Sequence, residues 1–289
     1  MLRLLMPTRP ARTVLVRFAV LFALLATACV REVDLEHVNG PPSGRLVVEG
    51  YLTNEAKAHR VRLTRTGPAI VTGPPAPVPG AAVSISDGER LFALAEHPAG
   101  SGQYFTADTV RGAVGKTYTL TITLDGRTHT AADRMEPVAP FSERDQILLP
   151  DLYLFGNPER GFTLEVPTAR FGFPAAVQQT VGFVNPQRAR DRGVNEQTVF
   201  YHFPGVEPNG LLPRTADPLR FQRDDTLFQS RASMSEAYQA FSRAMLIQAE
   251  YFGGVLGSVP ADLPTNVSGG AVGFFAASAV VSRRFRLGE

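Results

Sequence analysis

Five histidines, a single cysteine and one pair of adjacent aspartates are the residues of this 289-residue chain best suited to chemistry. His37, His59, His97, His129 and His202 are scattered, with no spacing that brings two of them onto one helix face or strand, so no metal centre is signalled. His129 alternates with Thr128 and Thr130 in a strand-like run, which suits a solvated or hydrogen-bonded imidazole. Asp224 and Asp225 follow Arg223, but neighbours in a strand point to opposite faces and do not share a site. Neither G-x-S-x-G nor H-E-x-x-H occurs. "SGGAVG" has glycines but lacks the lysine and the strand–helix setting of a phosphate loop. "RARDR" reads as a solvated loop, and "NVS" at Asn266 is a glycosylation-type pattern with no chemistry of its own. The expectation is a chain with no catalytic residues, no metal and no cofactor.

The cysteine is different. Cys29 closes "LLATAC", after the apolar run Phe18–Leu25 and the basic residues Arg3, Arg9, Arg12 and Arg17; the first acid is Glu32. A basic segment, a short apolar segment and small residues make a secretory signal, and the apolar run is too short to span a bilayer. The segment resembles a bacterial lipobox, which implies that Cys29 becomes the first mature residue and carries acyl chains such as palmitate. Residues 29–289 then form a 261-residue mature chain with 25 basic and 27 acidic residues, a net charge of −2. The basic pI belongs to the precursor, and nucleic-acid binding loses its compositional support. With one cysteine there is no internal disulfide, so stability rests on packing and hydrogen bonds.

Residues 29–44, "CVREVDLEHVNGPPSG", are polar and punctuated by Pro and Gly, and read as a tether. From Arg45 the period becomes two. "RLVVEGYLT" and "HRVRLTRT" read as strands, and Asp87-Gly88 and Asp125-Gly126 are two-residue hairpin signals. In "TYTLTITLDGRTHTA" the residues Tyr118, Leu120, Ile122 and Leu124 share one face and the threonines the other. About seven strands between Arg45 and Ala132 argue a β-sandwich. "MEPVAPFSERD" reads as a linker with a boundary near Pro140. Beyond it "GFTLEVPTA", "QQTVGFV" and "TVFYHF" read as strands, and "LRFQRDDTLFQ" as a hairpin or edge pair. One helix is expected over 233–252, with Ser233 and Glu236 as a capping box and a stripe of Met234, Tyr238, Phe241, Met245 and Phe252. "GAVGFFAASAVVSRRFRL" reads as a long last strand closing a second sheet, with Gly269, Gly270 and Gly273 giving a turn or bulge before it. The fold class is mainly β: two β-sandwich domains, Ig-like or transthyretin-like, the second carrying one amphipathic helix. The divisions are a signal peptide at 1–28, the tether at 29–44, a sandwich at 45–140 and a second mainly β domain at 141–289.

The ordered set "LVVEGYLT", "PVPGAAVSISDG", "GQYF", "VGKTYTLTITLDGRTHTA", "SEAYQAF" and "NVSGGAVGFFAAS" resembles the lipoproteins grouped as domain of unknown function 4249 (DUF4249). "PVPGAAVSISDG…GQYF" is also similar to the carboxypeptidase-regulatory or transthyretin-like sandwich. That likeness implies a turn at Pro79-Gly80, a strand with Val83 and Ile85, and a short strand opened by Gly102 and Tyr104. The family resemblance implies an outer-membrane lipoprotein of the Bacteroidota type, often placed near TonB-dependent receptor systems, with no catalytic residues to carry over.

The functional expectation is therefore a non-enzymatic binding or assembly module of the cell envelope. It is anchored to the outer membrane by lipid on Cys29, with an envelope receptor as partner and no nucleic acid. Glu32, Asp34 and Glu36 after the cysteine favour the cell surface over the periplasmic face. Two other readings stay open: an enzyme acting on glycans or peptides through carboxylates from distant strands, and a purely structural spacer.

Overall fold

In "TYTLTITL" the period-two pattern becomes β6 (Thr117–Leu124), where Tyr118, Leu120 and Ile122 are buried and Thr117 and Thr123 are exposed. The turn Asp125-Gly126 has positive φ at both residues (50° and 74°), as a two-residue hairpin of the strand-matched hand requires. It pairs Leu124 with Arg127 at the start of β7 (Arg127–Arg134). The computed structural model describes residues 44–67, 73–141, 226–251 and 263–286, and the backbone of strands at 147–150, 162–165, 177–184, 197–202 and 220–221.

The other strands before Pro140 are β1 (Leu46–Thr53), β2 (Arg60–Arg65), β3 (Ala82–Ser86), β4 (Leu91–Glu96) and β5 (Gln103–Phe105). Gly80 has a positive φ before β3, and the Tyr104 hydroxyl donates to the Val78 carbonyl at 2.8 Å while accepting the Ala81 N–H. Asp87-Gly88 does not form a two-residue turn. Ser86 pairs with Leu91 across a four-residue loop, because the Asp87 carboxylate accepts the N–H groups of both Glu89 and Arg90 and closes a side-chain turn.

Later strands are β8 (Ile147–Pro150), β9 (Phe162–Glu165), β10 (Val177–Val184), β11 (Gln197–His202), β12 (Arg220–Phe221), β13 (Thr226–Ser233), β14 (Val272–Ser278) and β15 (Val280–Arg286). The sheet orders are β14-β1-β2-β5-β4-β3-β6-β7, β11-β10-β13-β15 and β12-β9-β8. Two expectations change here. "LRFQRDDTLFQ" is no hairpin: β12 pairs with β9 while β13 pairs with β10 and β15. The tail is two strands rather than one. β14 runs parallel to β1 in the first sheet, and only β15 enters the second. The switch falls at Ala279, whose N–H is taken by the Ser233 hydroxyl, and at Val280, whose N–H and C=O are both held by the Asn54 amide.

The eight-stranded sheet is nearly closed. Residues Leu91–Leu94 of β4 pair with β3 and its end, Ala95–Glu96, pairs with β5, so one strand joins two halves. Val48, Leu52, Val61 and Leu63 from one half share a core with Ile85, Tyr118, Leu120 and Ile122 from the other. Gly50 is needed for this approach: a Cβ there would fall 2.8 Å from the Phe275 ring, with Leu120 of the facing half 3.7 Å away. At the other seam β7 and β14 approach each other without a ladder. Side chains of Asp133, Asn266 and Ser268 bridge the gap, as described below.

The region read as a linker is anchored. Met135 is fully buried, and the wholly buried Arg231 donates to the carbonyls of Ala139 and Pro140 at 3.1 and 3.2 Å. The guanidinium groups of Arg231 and Arg283 lie 4.6 and 4.5 Å from the centre of the Phe141 ring.

The helix α1 spans Glu236–Tyr251, and the expected capping box at Ser233 is replaced by a cap at Ser235. The Ser235 hydroxyl accepts the Tyr238 N–H at 3.1 Å, whereas Ser233 ends β13 and its hydroxyl accepts the Ala279 N–H. Tyr238 and Phe241 pack on Phe274 of β14, both with ring centres 5.2 Å away, and Tyr51 of β1 lies 6.5 Å from Tyr238. Two of the stripe residues thus cover the outer face of the first sheet, while Phe252 falls outside the described residues.

Candidate functional site

Where the chain enters the first sheet, four segments meet around an open groove of about 610 Å³. The Gly44–Leu46 entry, the end of β2, the β6–β7 turn and the Gly269–Ala271 turn line it. Period two alone does not predict this. Arg45 and Arg65 come together because β1 pairs Leu46 with Arg65, and Asp125 and Arg127 because the tight turn carries them to the same end. The Gly269–Ala271 turn joins them only through the parallel docking of β14 on β1.

The entry is tied down by Gly44 N–H to Thr66 O (2.8 Å), Thr66 N–H to Arg45 O (3.0 Å) and Arg45 N–H to the Thr66 hydroxyl (3.0 Å). The Arg45 Nε donates to Gly270 O at 3.1 Å, and Arg65 donates to Gly44 O at 2.9 Å. Arg65 also lies 3.9 Å from the largely exposed Asp125 carboxylate, a solvent-screened pair contributing on the order of 0–1 kcal/mol. The Arg127 side chain is exposed and has no hydrogen bond or ion pair with any described residue. His129 is buried at the floor against Gly269, where a Cβ would sit 2.7 Å from Nδ1. Its Nδ1 lies 3.1 Å from Ser268 O, which can only accept, so Nδ1 carries the proton. Among the described residues, three arginines and one carboxylate line this groove, and arginine's planar donor fork suits phosphate or carboxylate oxygens.

Next to the groove, polar side chains fill the seam between β7 and β14, with Asp133 buried among them. Asp133 accepts the Ala277 N–H at 2.8 Å and is further hydrogen-bonded by Ser235; burial pushes its carboxyl above the ordinary range. Asn266 bonds both the N–H and the C=O of Phe275 and also donates to Ala132 O. Ser268 accepts the Thr130 N–H through its hydroxyl and donates its own N–H to Thr130 O. These groups are spent on closing the sheet. Asn266 of the "NVS" pattern is thus a backbone mimic in the seam.

Among the residues singled out from sequence, Cys29, His37, Arg223, Asp224 and Asp225 lie outside the described residues, and His202 is described only as backbone in β11. His59 is buried in the β1–β2 connection: its Nδ1 accepts the Thr53 N–H and its Nε2 donates to Val110 O, with burial holding its pKa below the usual value. His97 precedes a cis proline, and His129 belongs to the groove. No three His, Cys, Asp or Glu side chains among the described residues are placed to share a metal ion. The arginines were not singled out in the sequence. The one available signal was Arg127 directly after an Asp-Gly turn, and it gives no hint of the segments that join it.

A family model described as a domain of unknown function (DUF4249) matches residues 30–284. No curated protein matches the chain.

Proposed function

We propose that the chain, which belongs to the DUF4249 family, is an outer-membrane lipoprotein that acts without catalysis as a binding or assembly module of the cell envelope. The observation that carries this reading is the sequence "LLATAC", which ends on Cys29 after a basic and then an apolar segment. Acyl chains on one residue give firm anchoring, since each buried CH₂ contributes about 0.8 kcal/mol.

A transthyretin-like first module fits this role. Its two halves joined by β4, the turn at Gly80 and the Tyr104 hydroxyl bridging Val78 and Ala81 support that finer reading of the fold. The partner is an envelope protein of the TonB-dependent receptor type, and Glu32, Asp34 and Glu36 favour the cell surface as its location. The test is a pull-down of the lipidated protein from native envelope, read by mass spectrometry. An envelope receptor recovered with the wild type and lost with Cys29→Ser supports the reading. Recovery of soluble enzymes or of nothing at all, from a protein found in the soluble fraction, overturns it.

A further inference from the structure

We propose that His59 is an acid-sensitive latch on the junction where the chain passes from the first sheet to the second, closed at neutral pH and released in mild acid. His59 is buried and ties three segments together. Its N–H goes to the Thr106 hydroxyl at 2.9 Å and its carbonyl accepts the Thr106 N–H at 3.0 Å. On the ring, Nε2 lies 3.0 Å from Val110 O and Nδ1 lies 3.4 Å from Thr53 N. Val110 O can only accept, so Nε2 carries the proton and Nδ1 is left to accept the Thr53 N–H. Thr53 and the residue after it make the junction. Thr53 pairs with Ser278 at the end of β14, and the Asn54 amide holds the N–H and C=O of Val280, at the start of β15, at 2.8 and 3.2 Å.

A second proton on the ring does not fit this arrangement. On Nδ1 it would set one N–H against another and place a charge among buried groups. Burial is accordingly the main cause that holds His59 below its ordinary 6.5, with the Lys57 charge acting the same way. The Glu55 carbonyl and carboxylate pull in the other direction and do not win. Partial burial raises the Glu55 carboxyl, but the Lys57 contact and the Thr53 hydroxyl more than offset this and keep it below 4.5, so it stays ionised while His59 titrates. The other elements bring no opposing charge. Thr106 and Ser278 present neutral hydroxyls, and Asp108 and Arg111 of the loop after β5 are exposed. Glu136, which bridges to Ser278, lies 3.5 Å from Arg134. Because the folded pKa is the lower one, the opened chain takes up the proton first. The latch is therefore complete above 6.5 and is lost as pH falls below it.

The test is residue-resolved amide exchange of the mature chain between about pH 7.5 and about pH 5, corrected for the intrinsic pH dependence of exchange, with the His59 imidazole titrated by NMR in the same samples. Exchange at Thr53 and Val280 should rise below 6.5, by at most about tenfold for each pH unit. Ala279 is the internal control, because the Ser233 hydroxyl and not Asn54 accepts its N–H, and its exchange should stay level. His59→Asn keeps an acceptor for Thr53 without a titrating ring and should remove the pH response at both positions. Asn54→Ala should raise exchange at Val280 at every pH while Thr53 keeps its response. An imidazole midpoint at or above 6.5, level exchange at Thr53 in the wild type, a rise at Thr53 without one at Val280, or an equal rise at Ala279 would each overturn the proposal.

Discussion

The carboxylate of Asp133 on β7 accepts the backbone N–H of Ala277 on β14 at 2.8 Å, across the seam that nearly closes the eight-stranded sheet. A side chain does here what a ladder hydrogen bond does elsewhere in the sheet. The same carboxylate is hydrogen-bonded to Ser235, the cap of α1, so strand, seam and helix meet at one buried acid. Truncation to Ala leaves the Ala277 N–H without its acceptor in a buried setting, at a cost of about 1–3 kcal/mol. Chemical denaturation of Asp133→Ala should show that loss, and no change in midpoint would contradict the clasp.

Asp133 and Asp87 should respond to pH with opposite signs. Burial raises the Asp133 pKa above the ordinary 3.8, so the folded state holds its proton more tightly than the unfolded chain. Stability from this group therefore falls as pH rises from 3.8 through the raised value. Asp87 is lowered, first by the Arg90 N–H and then by the other N–H, Arg90 and Lys116 donors around it. Its contribution is complete above 3.8 and is lost as pH falls below that. Melting curves across this range should show Asp133→Asn flattening the first trend and Asp87→Asn the second.

Two serines two residues apart should separate by function. Ser235→Ala removes the cap of α1 and should cost about 0.5–2 kcal/mol, visible as lost helix signal before global unfolding. Ser233→Ala removes the acceptor for the Ala279 N–H and should loosen the β14–β15 switch, with the helix signal intact. Amide exchange at Tyr238 and Ala279 distinguishes the two.

Gly273 lies opposite Val48 in the parallel pair, with φ of 98° and a would-be Cβ only 2.0 Å from the Val48 carbonyl. Neither the backbone nor the space tolerates a side chain. Gly273→Ala should destabilise the protein by more than about 3 kcal/mol and expose β1 to exchange. A wild-type melting midpoint would contradict the parallel docking.

A fragment of residues 44–141 carries seven of the eight strands of the first sheet and lacks β14. Its β1 edge and the inner face covered by Phe275 would be open, so it should unfold without a cooperative transition. Supplying residues 263–286 in the same cell should restore one. Independent cooperative folding of 44–141 would show that β14 adds nothing to the module.

What could be read from the residues was local. The Asp125-Gly126 turn, the alternation in β6 and the existence of the helix each rest on neighbours within a few positions. The parallel partner of β1 lies more than 200 residues away and leaves no local mark, which is why "GAVGFFAAS" reads equally well as a strand of the second sheet. Ser233 and Ser235 are both good caps, and only the use of Ser233 by Ala279 decides between them. At Asp87 the side chain's bonds to Glu89 and Arg90 override a dipeptide that elsewhere makes a tight turn. The arginine groove was the least legible feature, because its four segments converge only once β14 has docked.

The central claim is that Cys29 is the lipid-bearing first residue of a membrane-tethered module. Its most direct test is the intact mass, with N-terminal fragmentation, of the protein extracted from cell envelopes in detergent. The account predicts a chain that begins at Cys29 and carries acyl chains on that residue. A chain that begins elsewhere, or one that retains a free Cys29 thiol, would contradict it.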